Sequence, residues 1–64
     1  MSERTYQLGA EFAEEVQQGL AEGKSFDDLD AFPPEEALHV RDLYAVSGDQ
    51  ETADLLSGYL SHWD

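Results

Sequence analysis

Histidines and carboxylates are the side chains of this 64-residue chain that could do chemistry. Glu35 and His39 lie four residues apart, on one face of a helix, and Asp42 follows one turn later. Such a pair is a common beginning of a zinc site, but two ligands do not complete one. Because polar residues along one helix face are typical of a solvated surface, we predict no metal site here. We assign no catalytic role to His62, which lies near the end of the chain.

Carboxylates also cluster in the segment FDDLDAF, residues 26–32, which suggests a calcium site. An EF-hand loop needs alternating oxygen ligands, a glycine at its sixth position and a distal glutamate. Pro33 and Pro34 occupy that region instead. The segment faintly resembles an acyl carrier protein, but the Asp-Ser-Leu triplet that would carry the prosthetic arm is missing. The sequence therefore predicts neither of these sites and no cofactor.

Catalysis by paired carboxylates requires a cleft that pushes their pKa values apart. A chain this short forms one domain, residues 1–64, and buries only roughly 60% of the surface that its unfolded state exposes. Such a domain has little room for a cleft. Because no nucleophile and base occur at supporting positions, we predict a non-enzymatic protein.

The charge of the chain is its most unusual property, with fifteen acidic residues against three basic ones and a net charge of −12. Such a surface repels phosphate backbones and anionic lipids and attracts basic surfaces. The sequence has no cysteine and no apolar run near the roughly 18 residues of a membrane span. Its N-terminus lacks the basic segment followed by an apolar segment that is typical of a signal peptide. We expect a cytoplasmic protein that binds neither nucleic acid nor membrane directly.

Periodicity predicts a first helix over residues 4–22. Its apolar stripe recurs at every fourth position, with two small residues beside it: Leu8, Phe12, Val16 and Leu20, then Gly9 and Ala13. We expect this stripe to be the packing face. Gly23 marks the end of the helix.

The next segment combines a capping signal with a proline pair. Ser25 is a good N-cap residue, and Asp28 is placed to reach back to it, which favours one helical turn over 26–31. Pro33 restricts Phe32 to an extended conformation, and Pro34 suits the first turn of a helix that runs to about residue 46. Apolar residues surround almost the whole circumference of that helix. Because a helix of this kind is typically sandwiched, we predict it to be the most buried of the three.

The segment YAVSGDQETADLL, residues 44–56, interrupts a helix-forming stretch with Gly48 and Asp49. Gly48 can adopt the left-handed conformation that ends a helix, and Asp49 can cap the next one. The last helix, about 50–62, has one broad apolar face: Leu55, Leu56, Tyr59, Leu60 and Trp63. The sequence thus predicts an all-α three-helix bundle that ends in a helical hairpin.

This hairpin resembles the inter-helix turn of a tetratricopeptide repeat, in which a tyrosine precedes Gly-Asp and an alanine follows. The matching residues are Tyr44, Gly48, Asp49 and Ala53. The tryptophan and Leu-Gly pair expected upstream are missing, and solenoids need about three copies of the repeat. We interpret the resemblance as shared hairpin geometry.

Small helical domains are often stabilised by association, which favours an interaction module: an adaptor, chaperone or inhibitor of a larger protein. Aromatic residues are enriched at interface hot spots, so the candidate contacts are Phe26, Phe32, Tyr59 and Trp63. The alternative is that these four complete the protein's own core. The partner would be a protein with a basic surface, or a second copy of the chain.

A second hypothesis explains the charge as mimicry of a nucleic acid, in which carboxylates block the groove of a DNA- or RNA-binding protein. The predicted acidic surface consists of Glu11, Glu14, Glu15, Glu22, Asp27, Asp28 and Asp30. Adaptation to high salt also accounts for such a charge, because salt screens self-repulsion. The single lysine agrees with that explanation.

Overall fold

Three helices form the computed structural model, which describes residues 2–63. Helix α1 spans Ser2–Ala21, α2 spans Pro34–Ser47 and α3 spans Gln50–Leu60. No strand occurs in the described part of the chain. The predicted all-α three-helix bundle is confirmed, and the helix bounds lie close to the predicted ones.

Helix α3 lies between the other two helices. It packs against both α1 and α2, whereas no Cα atom of α1 lies within 8 Å of one of α2 among residues 2–63. The prediction that α2 is the most buried helix is wrong, because α2 buries only Ala37. In α3 the buried residues are Ala53, Leu56, Gly58 and Tyr59. Helix α2 is apolar on two sides, but only one of them is covered.

The packing face of α1 is also displaced from the predicted stripe. Ala13 and Val16 are 0% and 2% exposed, and Gly9 is buried. Leu8 is 52% exposed, so the prediction that it lies in the packing face is wrong. Phe12 is 40% exposed and packs at the edge of this face, against Tyr59 of α3. Small residues occupy the contact with α3 because they let two helix backbones approach closely.

Two glycines form the crossing of α1 and α3. A Cβ atom added at Gly9 would overlap the carbonyl oxygen of Leu55, and one added at Gly58 would overlap the carbonyl oxygen of Tyr6. Backbone therefore lies against backbone, with no room for a side chain. This crossing fixes how α1 is oriented on α3.

Tyr59 of α3 is the centre of the core. Its ring centroid lies 5.7 Å from that of Phe12 and 5.7 Å from that of Trp63, which lies 5.8 Å from Phe26. The Tyr59 hydroxyl donates a hydrogen bond of 2.6 Å to the carbonyl oxygen of Phe32. This bond joins the linker between α1 and α2 to the central helix.

The linker begins with the predicted reciprocal cap. The Ser25 amide donates to Asp28 Oδ2, and the Asp28 amide donates to Ser25 Oγ, both at 3.1 Å. The predicted helical turn over 26–31 is present as a single hydrogen-bonded turn, closed by a 3.0 Å bond from the Ala31 amide to the Phe26 carbonyl. Asp30 takes a left-handed conformation with φ 56°, which ends the turn before a helix can form.

The predicted hairpin between α2 and α3 is confirmed. Gly48 has φ 90°, and the Asp49 amide donates to the Tyr44 carbonyl at 2.9 Å. Asp49 Oδ1 accepts from the Thr52 amide at 3.2 Å, so it caps α3. Ala53, one turn into α3, is 2% exposed.

Replacing Gly48 by valine should lower the free energy of unfolding by roughly 1 kcal/mol or more, because a β-branched residue resists positive φ. A Cβ atom at this position meets no atom within 4 Å, so only backbone strain contributes. Gly48→Asn is the matched control, since asparagine tolerates this conformation and should lower the free energy of unfolding less. Urea denaturation measures both, and a valine variant as stable as the wild type would contradict the left-handed cap.

Candidate functional site

Large apolar side chains are distributed unusually in this protein, because more of them are exposed than buried. Among residues 2–63, only Val16, Leu56 and Tyr59 are buried. Eight are at least 40% exposed: Tyr6, Leu8, Phe12, Phe32, Leu38, Leu43, Tyr44 and Val46. Single exposed apolar residues are normal, but several close together are typical of an interaction surface.

Four of the exposed apolar residues lie on α2. Among them, Leu38, Leu43 and Val46 are 45%, 55% and 88% exposed. We call these three the outer face of α2. Sequence reasoning identified their apolar character but assigned it to burial, because periodicity does not show which faces are covered.

A concave site lies between α1 and the linker, with α3 as its floor. This apolar groove has a volume of about 130 Å³ and one charged lining residue, Asp30. The remaining lining residues are Phe12, Ala31, Phe32, Leu55, Leu56 and Tyr59. Phe12 and Phe32 are 40% and 42% exposed, so a molecule in the groove would contact both rings.

An acidic pocket of about 290 Å³ adjoins the apolar groove. Asp30, Ala31 and Phe32 line both cavities. The other residues of the pocket are Phe26, Asp27, Pro33 and Glu36. The residues shared by the two cavities place an apolar site directly beside a negatively charged one.

The carboxylates of the acidic pocket have no cationic partner within the described residues. Ion pairs there join Lys24 to Glu22 at 3.9 Å and Arg41 to Asp42 at 3.5 Å. Neither pair involves Asp27, Asp30 or Glu36. Because all three are exposed, an external cation can reach them.

The structure separates the four aromatic residues that were predicted to contact a partner. Tyr59 is 2% exposed, and half-buried Phe26 and Trp63 pack in the same aromatic cluster. This arrangement fits the alternative, in which these residues complete the core. Burial of Tyr59 also raises the pKa of its hydroxyl above the usual value of 10.0, so the group stays a hydrogen-bond donor further into alkaline pH. Phe32, at 42%, is the most exposed of the four.

The residues of the predicted acidic surface are all exposed: Glu11, Glu14, Glu15, Glu22, Asp27, Asp28 and Asp30. Glu35, His39 and Asp42 are exposed as well. Among residues 2–63, no group of three or more side chains is arranged to hold a metal ion. Exposed carboxylates of this kind act on other molecules at long range through their electrostatic field.

Comparison with known proteins gives no relative, since no family, curated protein or solved structure matches the chain. None of the helices within residues 2–63 has both the length and the hydropathy to cross a membrane.

The charge predicts a salt-dependent stability. Raising NaCl from 0.01 to 0.15 M shortens the Debye length from about 30 to about 8 Å, while the molecule measures 36 × 21 × 20 Å. Repulsion across the whole molecule should weaken and the free energy of unfolding should increase by about 1 kcal/mol. For a domain of this size, this corresponds to a melting temperature about 4–8 °C higher. Thermal melting followed by circular dichroism measures this rise.

The control for this experiment is the triple variant Glu14→Gln, Glu15→Gln, Glu51→Gln, which should melt higher at low salt and respond less to added salt. A flat salt response of the wild type would mean that its acidic residues are too dispersed to repel one another. A requirement for molar salt would instead favour adaptation to a saline cell.

Proposed function

We propose that this chain is a small, non-enzymatic protein-interaction module that acts in the cytoplasm by docking on a larger protein. The observation that carries the proposal is that, among residues 2–63, eight large apolar side chains are exposed while three are buried. Docking would remove part of this apolar surface from water. Regulation, inhibition or chaperoning of the larger protein would follow from such binding.

The size of the molecule is sufficient for this role. A standard interface covers roughly 800 Å² on each partner, about a fifth of the 4469 Å² of accessible surface. Burying a fully exposed large apolar side chain contributes about 1.5–3 kcal/mol, and burying one that is half exposed contributes about half as much. Several of the exposed residues together can therefore offset the estimated 4–15 kcal/mol of lost translational and rotational freedom.

The net charge of −12 supports a different protein with a basic surface over a second copy of the chain. Two copies would bring like charges together, which opposes association. A basic partner would instead be attracted from a distance and would bind faster at low salt.

A second candidate, the nucleic-acid mimic, is supported by the exposure of all seven carboxylates of the predicted acidic surface. Binding of this kind would depend on charge and weaken steeply with salt. An apolar contact would depend on salt much less. Variants that change one property at a time separate the two candidates.

The test is affinity capture of the tagged protein from its host, quantified by mass spectrometry. Phe32→Ser alters the apolar groove, and Leu43→Gln with Val46→Gln alters the outer face of α2. We expect at least one of these variants to lose about tenfold or more of a partner that the wild type captures. A charge-reversed variant with lysine at Glu11, Glu14 and Glu15 should keep that partner.

Circular dichroism must first show that each variant is folded. Retention by both apolar variants, together with loss by the charge-reversed variant, would contradict the apolar interface and favour the mimic. If the wild type captures no partner, the interaction module itself is refuted.

A further inference from the structure

The two cavities on either side of Phe32 specify the chemistry of a partner more closely. We infer that the apolar groove and the acidic pocket together bind one short basic segment of a partner protein. A large apolar side chain of that segment enters the groove, and a lysine or arginine side chain enters the pocket. This inference rests on the proposed function and deepens it.

Ala31 and Phe32 form the wall between the two cavities, and hydrogen bonds hold this wall in place before any partner binds. The Phe32 carbonyl accepts the 2.6 Å hydrogen bond from buried Tyr59, and the Ala31 amide donates to the Phe26 carbonyl at 3.0 Å. Both residues of the wall are thus tied to the rest of the fold through their backbone. A preformed site loses less conformational entropy on binding and so binds more tightly.

The apolar groove suits one side chain rather than a helix face. Its volume is about 130 Å³, and an apolar cavity of about 150 Å³ holds one benzene molecule. Phe12 and Phe32 offer ring surfaces on which an aromatic or branched aliphatic side chain can pack. The groove is therefore specific for a large apolar residue.

The acidic pocket suits one cationic side chain. Asp27 and Asp30 come from the linker turn and Glu36 from the first turn of α2, so carboxylates from two elements line one cavity. With no cation of the described chain within ion-pair distance, this charge is free to attract one from outside. Arginine would fit best because it can donate two parallel hydrogen bonds to a carboxylate.

Charge complementarity selects the occupant. An acidic or neutral segment would leave three carboxylates beside an apolar contact without compensation, whereas a basic segment satisfies both cavities at once. A second copy of this chain would bring its own excess of acidic residues to the same place. A basic segment of a different protein is thus the occupant that the site favours.

The experiment uses a phage-displayed library of random 12-residue peptides, selected on the immobilised full-length protein at 0.1 M NaCl. We expect the enriched peptides to share at least one lysine or arginine together with a large apolar residue. One enriched peptide is then synthesised and titrated calorimetrically. In the amide NMR spectrum, its binding should shift the signals of Ala31, Phe32, Glu36 and Leu55.

Variants of the protein show which side chains carry this binding. Neutralising the pocket with Asp27→Asn, Asp30→Asn and Glu36→Gln should lower the affinity for the peptide about tenfold or more, as expected for loss of charge-assisted hydrogen bonds. Phe32→Ser should lower this affinity by about tenfold as well. The matched control, Glu14→Gln with Glu15→Gln and Glu51→Gln, removes the same charge elsewhere and should stay within about twofold.

Other outcomes would overturn the inference. The inference is refuted if the enriched peptides lack basic residues, or if they shift the NMR signals of the outer face of α2 instead. It is also refuted if the control variant lowers the affinity for the peptide equally. Each of these results would leave the interaction module standing. Failure to enrich any peptide refutes the inference too. If affinity capture also finds no partner, the proposed function fails with it.

Discussion

Replacing Gly58 by alanine should destabilise this protein by about 3 kcal/mol, because the new methyl group has no space at the crossing of α1 and α3. Its Cβ atom would overlap the backbone carbonyl of Tyr6. A backbone group cannot rotate away as a side chain can, so the helices must separate. Gly9→Ala should have a similar effect through the carbonyl of Leu55. Domains of this size are stable by only about 3–10 kcal/mol, so either change should unfold a measurable fraction.

Gly19→Ala is the matched control on the same helix as Gly9. Its Cβ atom would lie 2.6 and 2.8 Å from the two terminal methyl groups of Leu29, which is a flexible side chain that can move. Alanine also gains up to about 1 kcal/mol of helix propensity over glycine. The free energy of unfolding should therefore stay within about 1 kcal/mol of the wild type. Equal stability of the Gly58 and Gly19 variants in urea would contradict the close crossing.

Tyr59→Ala should lower the free energy of unfolding by about 4 kcal/mol, the typical loss for a large aromatic residue in a core. Its ring contacts those of Phe12 and Trp63, and its hydroxyl holds the linker through Phe32. Tyr59→Phe removes only the hydrogen bond and should lose about 1 kcal/mol. Urea denaturation of the two variants separates packing from hydrogen bonding. Similar small losses in both would show that Tyr59 is not central.

The phenol of Tyr59 adds a pH dependence to this prediction. Burial raises its pKa above 10.0, so the folded state favours the neutral form. This contribution to stability is complete below the unfolded pKa of about 10 and is lost as pH rises through the folded value. Tyr59→Phe should lack this part of the alkaline loss.

Local features of the fold could be predicted from the sequence because neighbouring residues determine them. The cap between Ser25 and Asp28 depends on residues three apart, and the hairpin depends on the adjacent Gly48 and Asp49. Helix bounds follow from such signals together with hydrophobic periodicity. These predictions agree with the structure.

The order of packing could not be predicted in the same way. Periodicity shows that a helix face is apolar but does not show which helix covers it, so α2 was assigned the central place that α3 occupies. Gly9 and Gly58 did carry a signal, because glycine inside a helix is unfavourable by about 1 kcal/mol and indicates a close approach. The packing face of α1 was nevertheless predicted from its large apolar residues, such as Leu8 and Phe12, and not from Gly9.

The sequence predicted several residues of the candidate site but not their arrangement. Three of the candidate contacts and two members of the predicted acidic surface line its cavities: Phe26, Phe32, Tyr59, Asp27 and Asp30. The groove depends on contacts between distant parts of the chain, such as the bond from Tyr59 to Phe32 across 27 residues. Composition suggested that aromatic residues would contact a partner, but burial divides them between core and surface. The acidic pocket likewise joins Asp27 of the linker to Glu36 of α2, which only the fold brings together.

Site-specific photo-crosslinking in the host cell tests the central claim, that exposed apolar side chains bind a protein partner, most directly. The photoreactive residue p-benzoylphenylalanine would replace Phe32 in one variant, Leu43 in a second and Glu15, on the outer side of α1, in a third. We predict a covalent adduct with one specific protein from Phe32 or Leu43, and none from Glu15. Adducts from Glu15 alone, or no adduct from any of the three positions, would contradict the claim.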